Sequence, residues 1–302
     1  MSKIIQNINS ITEFHRFLNL PKPKHPLISV INLEEVTFKA EPIWEHFTTS
    51  LYVVALKQGE TGKLKYGQNA YDFDEGILTF TSPKQVFSIT DAHEIDITGY
   101  SLIIHPDFLQ QHSLIKKITK FGFFSYATNE ALFLSDKEEQ ILISLLKSIE
   151  QEYNSNIDTF SQDVIVSNIE LLMIYADRYY NRQFITRKNQ NHDLLSKVES
   201  ILSKYFNDEL DNVGVPTVQY LASQLNVTTS YLSSMLKSFT GQTTQQHIHN
   251  KVIEKAKELL STTELSVSEI AYQLGFEYSQ SFNKLFKKKT NLSPLNYRTS
   301  FN

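Results

Sequence analysis

Two sets of side chains in this 302-residue chain have types and spacing that could do chemistry. The first is Gln280, Asn283, Lys284, Lys287 and Lys288, amides and amines on the polar side of a segment whose other side is Phe282, Leu285 and Phe286. Groups of this kind hydrogen-bond and carry charge without breaking bonds, as a nucleic-acid surface does. The second set is histidine. Metal-dependent β-barrel enzymes converge an HxH pair, a Glu and a later His on one ion, but here His46 stands alone before Phe47-Thr48, and His93 and His105 are far apart. The one HxH, His247-Ile248-His249, falls in a helical pattern, where i and i+2 do not face each other. There is no cysteine, GxSxG, phosphate-cradling glycine loop or metalloprotease motif. We therefore expect no enzyme, no metal and no cofactor.

The elements that must position the first set are short helices. Ser266-x-x-Glu269 is a capping box, Ile270, Ala271 and Leu274 make an apolar face, and Gly275 stands where the chain leaves a helix and needs a left-handed residue. A second helix follows, giving a helix-turn-helix with a basic, amide-rich second member. An earlier segment repeats it. Ala222 and Leu225 match Ala271 and Leu274 at 49 residues, while Leu232, Leu236, Lys237 and Gly241 match Phe282, Phe286, Lys287 and Asn291 at 50, so one residue is inserted in the second turn. Between the copies, Ile248, Val252, Ile253, Ala256, Leu259 and Leu260 recur at helical spacing after a Thr243-x-x-Gln246 box, which predicts a helix holding the copies apart.

The run from Ile270 to Arg298, with IAYQLGF, Phe282, Phe286-Lys287, Ser293-Pro294 and Tyr297-Arg298, resembles the DNA-binding domain of the AraC/XylS family of bacterial transcription regulators. The resemblance covers about the last third of the chain. It implies two recognition helices in successive major-groove segments, about 34 Å apart. Where the family often has arginine and an aromatic, the first copy has Ser234 and Leu236. It offers Ser230, Ser233 and Ser234 to bases and Lys237 to a phosphate, and serine reads bases weakly. The second copy is expected to discriminate, with Ser279, Gln280, Asn283 and Lys284 toward bases and Lys287 and Lys288 toward phosphates. Taken alone, the lysine run also suits a solvated helix end.

Charge is segregated accordingly. The whole chain carries −4, but from Thr217 onward nine Lys/Arg stand against five Asp/Glu. The length suits two domains. The first twenty residues mix charge among the apolar groups and no long apolar run follows, so a cytoplasmic protein with no signal peptide or membrane span is expected.

From Leu51 to Ile89, short runs rich in Val, Ile, Tyr and Phe alternate with turn signals at Gln58-Gly59, Glu60-Thr61-Gly62, Gly67-Gln68-Asn69 and Asp74-Glu75-Gly76, predicting a sandwich or small barrel. In this position it resembles the cupin-like sensor of many AraC-family regulators. Trp44, Tyr52, Tyr66, Phe80 and Phe87 are candidate walls of a ligand pocket, with plain barrel core as the alternative. Two helices follow: one capped by Ser135-Asp136-x-Glu138 with Ile141, Leu142, Leu145, Leu146, Ile149 and Tyr153, and one from about Asp163 with Ile165, Ile169, Leu172, Met173, Ala176 and Tyr180. The family packs such a hairpin on the barrel and commonly dimerises through it. Packing within one subunit is the alternative.

The expected fold is α+β: a cupin-like barrel (about 25–130) and helical hairpin (about 135–182) in a sensor and dimerisation domain (1–180), a polar linker (181–193), and an all-α double helix-turn-helix (194–302) with its own linker helix. The resemblance implies a dimeric, ligand-responsive activator of catabolic or adaptive genes. Its partners would be double-stranded DNA, a small-molecule effector and, for an activator, RNA polymerase. The alternatives are an effector-independent regulator of the same family or a cupin enzyme fused to a nucleic-acid module.

Overall fold

The computed structural model describes residues 6–36, 47–58, 65–66, 69–70, 76–87, 98–127, 130–155, 158–186, 188–208 and 214–300. Contacts divide the chain into two units, Met1–Gln183 and Phe184–Asn302.

The first unit runs β1 (Gln6–Ile8), α1 (Ile11–Phe17), β2 (Ile28–Asn32), β3 (Phe47–Thr49), β4 (Tyr52–Gln58), β5 (Lys65–Tyr66), β6 (Asn69–Ala70), β7 (Ile77–Thr81), β8 (Val86–Phe87), β9 (Thr98–Ile104), α2 (Leu114–Ile118), β10 (Leu132–Phe133), α3 (Asp136–Asn154) and α4 (Ser161–Thr186). An antiparallel sheet has the order β10-β7-β4-β9-β2, with β1-β3-β8 and β5-β6 separate. Among the described residues no closed barrel is formed, and the unit is a mixed helix-and-sheet assembly.

Strand alternation gives the large sheet two unlike faces. Tyr52 pairs with Ile104 and Val54 with Phe80 and Leu102, so the middle of one face is apolar. That face packs on a 3-10 turn, Gly122–Ser125, whose Phe123 and Phe124 meet the Phe80 ring at 4.2 and 5.3 Å. On the other face Val53, Ile31 and Ile103 join Ile8, Ile11 and Phe14 of β1 and α1 in one core cluster. Beside it, His15 donates from Nδ1 to the Pro21 carbonyl (2.6 Å), which leaves Nε2 to accept from the buried Ser29 hydroxyl (2.8 Å). The pair ties α1 to β2, and Ser29, at 0% exposure, is closed to any substrate.

Both expected long helices form. The Ser135–Glu138 capping box starts α3, and Asp158 accepts the Phe160 and Ser161 amides (2.7 and 2.9 Å) ahead of α4. Leu142, Leu145, Leu146 and Ile149 of α3 are buried, as are Ile165, Ile169, Leu172, Met173, Ala176 and Tyr180 of α4.

The segment expected as a polar linker, 181–193, is helical on both sides of Arg187, α4 reaching Thr186 and the next helix starting at Lys188. Polar composition suggested a linker, but these polar groups have partners. Arg182 donates to both Glu138 oxygens (3.0 and 2.5 Å), and the buried Gln183 accepts from the Phe133 amide (2.8 Å) and donates to the Ala131 carbonyl (3.2 Å). A paired amide and guanidinium extend a helix that composition alone would have ended.

The second unit is all helical among its described residues: α5 (Lys188–Asp208), α6 (Val218–Gln224), α7 (Thr229–Thr240), α8 (Thr244–Thr262), α9 (Val267–Gln273), α10 (Ser279–Thr290) and α11 (Pro294–Thr299). The long α8 touches α5, α7, α9, α10 and α11 and buries Ile248, Val252, Ile253, Ala256, Leu259 and Leu260 as the spacing required.

Candidate nucleic-acid interface

The internal repeat survives in the hydrogen bonds. Thr217 and Ser266 cap α6 and α9 by accepting the Tyr220 and Glu269 amides (3.0 and 3.2 Å). Each turn then closes through one positive-φ residue, Asn226 (55°) or Gly275 (88°), followed by an amide returning to the preceding helix: Val227 to the Ala222 carbonyl and Phe276 to that of Ala271, both 3.0 Å. The second helices end alike, on Gly241 (φ 76°) and Asn291 (φ 62°), with Thr240 and Thr290 donating to carbonyls four residues back. Asparagine tolerates the left-handed region, so Asn291 serves where glycine would. A side-chain cap starts α7 at Thr228, whereas α10 starts at Tyr278 without one.

On α10, Phe282 and Phe286 are fully buried against the unit's core, while Gln280, Asn283, Lys284, Lys287 and Lys288 are exposed and Ser279 is half-buried. Residues 280, 283, 284 and 287 recur at helical spacing, so amides and amines share one solvent-facing stripe. Lys289 does not join it. Its ammonium turns back to the Asn250 side-chain oxygen on α8 (2.8 Å), and Asn250 donates to Gln242 in the turn after α7 (2.8 Å). This chain of bonds ties the second copy to the first.

The equivalent stripe of α7 is Ser230, Ser233, Ser234 and Lys237, of which only Lys237 is exposed. Ser233 is half-buried, its hydroxyl 3.1 Å from that of the buried Thr244 at the start of α8. This bond competes with base reading by Ser233, and spacing alone does not register that residue 233 lies beside the incoming helix. Ser233→Ala is expected to lower stability by about 1 kcal/mol, the loss of one hydrogen bond, seen as a lower thermal midpoint, without changing which DNA sequences are preferred.

Charge around the stripe is set by its ends. Lys287, Lys288 and Lys289 occupy the last turn of α10, where the helix dipole favours cations. Burial first, then Lys289 and Lys288, hold His249 below its ordinary value, and burial does the same for His247. These two histidines bond different partners. His247 bonds Thr240 (2.9 Å) and His249 bonds Gln245 (2.9 Å), in keeping with their i, i+2 divergence.

The capping box of α9 gives a pH signature. The Ser266 hydroxyl and then its amide hold the exposed Glu269 carboxyl below its ordinary 4.5. A folded value below the unfolded one contributes stability that is present above about pH 4.5 and is lost as pH falls through the folded value. Glu269→Gln keeps the acceptor and removes the titration, so melts across acidic pH should lose that component of the acid decline.

A family model described as a helix-turn-helix domain matches residues 221–300. The C-terminal unit carries an AraC-type helix-turn-helix domain. The chain is 30% identical over 134 residues to the transcriptional activator RhaS of Salmonella schwarzengrund, covering 44% of this chain and 46% of RhaS. It is 31% identical over 105 residues to histidine kinase P4 of Formosa agariphila, covering 34% of this chain but 8% of that protein. The C-terminal domain of the response regulator yesN from Fusobacterium nucleatum is 37% identical, with 33% of this chain and 93% of that one covered and a TM-score of 0.30. The chain thus spans less than half the length of these two curated relatives.

The AraC-type domain also exposes residues that spacing did not single out. Tyr278, immediately before α10, is 62% exposed and Tyr272 of α9 is 59% exposed. An uncapped helix start bearing a tyrosine where the first copy has Thr228 was the available signal.

The N-terminal candidates fare differently. Tyr52 and Phe80 are buried, their rings 5.3 Å from that of Phe124, so they are core of the apolar sheet face rather than pocket wall. Trp44, His46 and His93 lie outside the described residues, and the backbone places Tyr66 in β5 and Phe87 in β8. Among the described residues, no helix is long and apolar enough to cross a membrane.

Proposed function

We propose that this protein is a sequence-specific DNA-binding transcription regulator in which residues 194–302 hold the duplex and residues 1–180 sense and dimerise, joined through 181–193. One observation carries the reading: the second copy of a repeated helix-turn-helix presents Gln280, Asn283, Lys284 and Lys287 on one exposed stripe, while Phe282 and Phe286 on its apolar side are fully buried. Amides of this kind bond adenine edges and amines neutralise phosphate. Tyr272 and Tyr278 extend the surface as hydroxyl donors to the sugar-phosphate backbone.

Homodimerisation is supported by an apolar stripe at α4. Phe160, just before the helix, and Val164, Leu171 and Ile174 within it are 68%, 43%, 42% and 52% exposed. Large apolar side chains at near-heptad spacing suit a second copy of the same helix. A regulator of this design acts as a ligand-responsive activator of catabolic or adaptive genes, with RNA polymerase as its further partner, and does no chemistry of its own.

Selection of bound duplexes from a random pool by the full chain, at stated salt, tests the reading. Enrichment of a motif, recovered as paired half-sites, is the expected result. Retention of duplex with no enriched motif would overturn sequence-specific regulation, and a single unpaired motif would overturn the dimer.

A further inference from the structure

We propose that a pocket in the first unit, walled by Leu27, Ile28, Phe108 and Ile165 and edged by Glu152 and Asp158, binds a small organic cation with an aliphatic body. The pocket lies where the chain before β2, the 3-10 turn Pro106–Leu109, the end of α3 and the start of α4 come together. Its volume is about 320 Å³, within the range of small-molecule sites. Its wall is dry, with Ile28, Phe108 and Ile165 at 0%, 3% and 5% exposure.

The polar groups at its edge are unbalanced in charge. Among the described residues the Glu152 carboxylate has no hydrogen-bond or ion-pair partner, its backbone carbonyl alone accepting the Ser155 amide (3.2 Å). Asp158 uses Oδ1 to accept the Phe160 and Ser161 amides and leaves Oδ2 unengaged. No lysine or arginine lines the pocket, and the ammonium of neighbouring Lys24 donates to Asn154 (2.6 Å). His25 adds no cation. Its Nδ1 accepts the Leu27 amide (3.1 Å), its ring stands edge-on to Phe108, and burial lowers its pKa, so it is neutral near pH 7 with the proton on Nε2. The Tyr153 hydroxyl accepts the Lys24 amide (2.8 Å) and keeps its own proton to donate. An ammonium group satisfies the carboxylates while its hydrocarbon covers the apolar wall. An anion meets two carboxylates, and a neutral ligand leaves both unmatched.

The site extends the sensor reading of this unit, but its test measures binding directly, so its failure leaves DNA recognition standing. The full chain is titrated calorimetrically with 1-aminopentane, and in parallel with 1-pentanol and pentanoate, which share its body. Saturable binding of the amine, at least about tenfold tighter than the alcohol and with none for the acid, is expected. Glu152→Gln should weaken the amine about tenfold. Asp158→Asn, which keeps the Oδ1 cap of α4, should weaken it too, with unchanged circular dichroism confirming the fold of both variants. No saturable amine binding to the folded wild-type chain, equal binding of the alcohol, or unchanged affinity in Glu152→Gln would each overturn the proposal.

Discussion

Gly275→Ala is expected to destabilise the C-terminal unit by on the order of 3 kcal/mol or more, while Gly241→Ala costs about 1 kcal/mol. Both glycines sit at positive φ, 88° and 76°, where a β-carbon is strained in any surroundings. They differ in what that carbon meets. At Gly241 nothing lies within 4 Å, whereas at Gly275 it would stand 2.2 Å from the Gly214 carbonyl carbon and 2.5 Å from the Val215 nitrogen. Those are backbone atoms, and Gly214 is itself anchored by the Tyr205 hydroxyl at 2.7 Å. The turn of the second copy is therefore seated on the segment leading into the first, and relief requires moving main chain. Thermal denaturation of the two variants side by side checks this. Equal losses would mean that the close approach carries no weight.

The second large effect is on DNA. Asn283→Ala is expected to remove about 1–3 kcal/mol of discrimination at the base pair it reads, leaving binding to unrelated duplex nearly unchanged. Lys287→Ala should weaken all duplexes alike and reduce the slope of log affinity against log salt by about 1. The two residues are neighbours on the exposed stripe of α10 but differ in what they offer: a planar donor-acceptor pair in one case, a mobile charge in the last turn in the other. Competition binding against selected and scrambled duplexes over a salt series separates them. If Asn283→Ala weakened every duplex equally, the assignment of base reading would be wrong. Ser234→Ala, on the half-buried stripe of α7, should change preference less than Asn283→Ala.

The helices of the C-terminal unit were legible because each cue is local. Capping boxes at Thr243 and Ser266, left-handed residues at 226, 241, 275 and 291, and apolar spacing each act within a few residues. Other features depend on distant chain. Spacing puts Ser233 on the stripe of α7 but does not show its bond to Thr244 of the next helix, and composition marks 181–193 as polar but does not show Glu138, Phe133 and Ala131 bonding Arg182 and Gln183. In the N-terminal unit, alternation along β4 separated Tyr52 and Val54 from Val53 and Ala55. It could not say that the Tyr52 face would meet Phe123 and Phe124 some seventy residues later. Aromatic content was visible in the sequence, but whether it lined space or filled it was not.

The helix shared by the two copies has a thermodynamic consequence. At 1.5 Å per residue, the 19 residues of α8 make a rod about 28 Å long, braced across its width by the Lys289–Asn250–Gln242 chain. In the proposed complex, with α10 docked in a groove, α7 meets the next groove as a tethered group rather than a free solute, at an effective concentration set by the rod. A reader too weak to hold duplex alone thereby adds its few contacts without a second loss of translational freedom. One residue inserted in α8 would turn α7 by about 100° and forfeit that avidity, although neither recognition surface had changed.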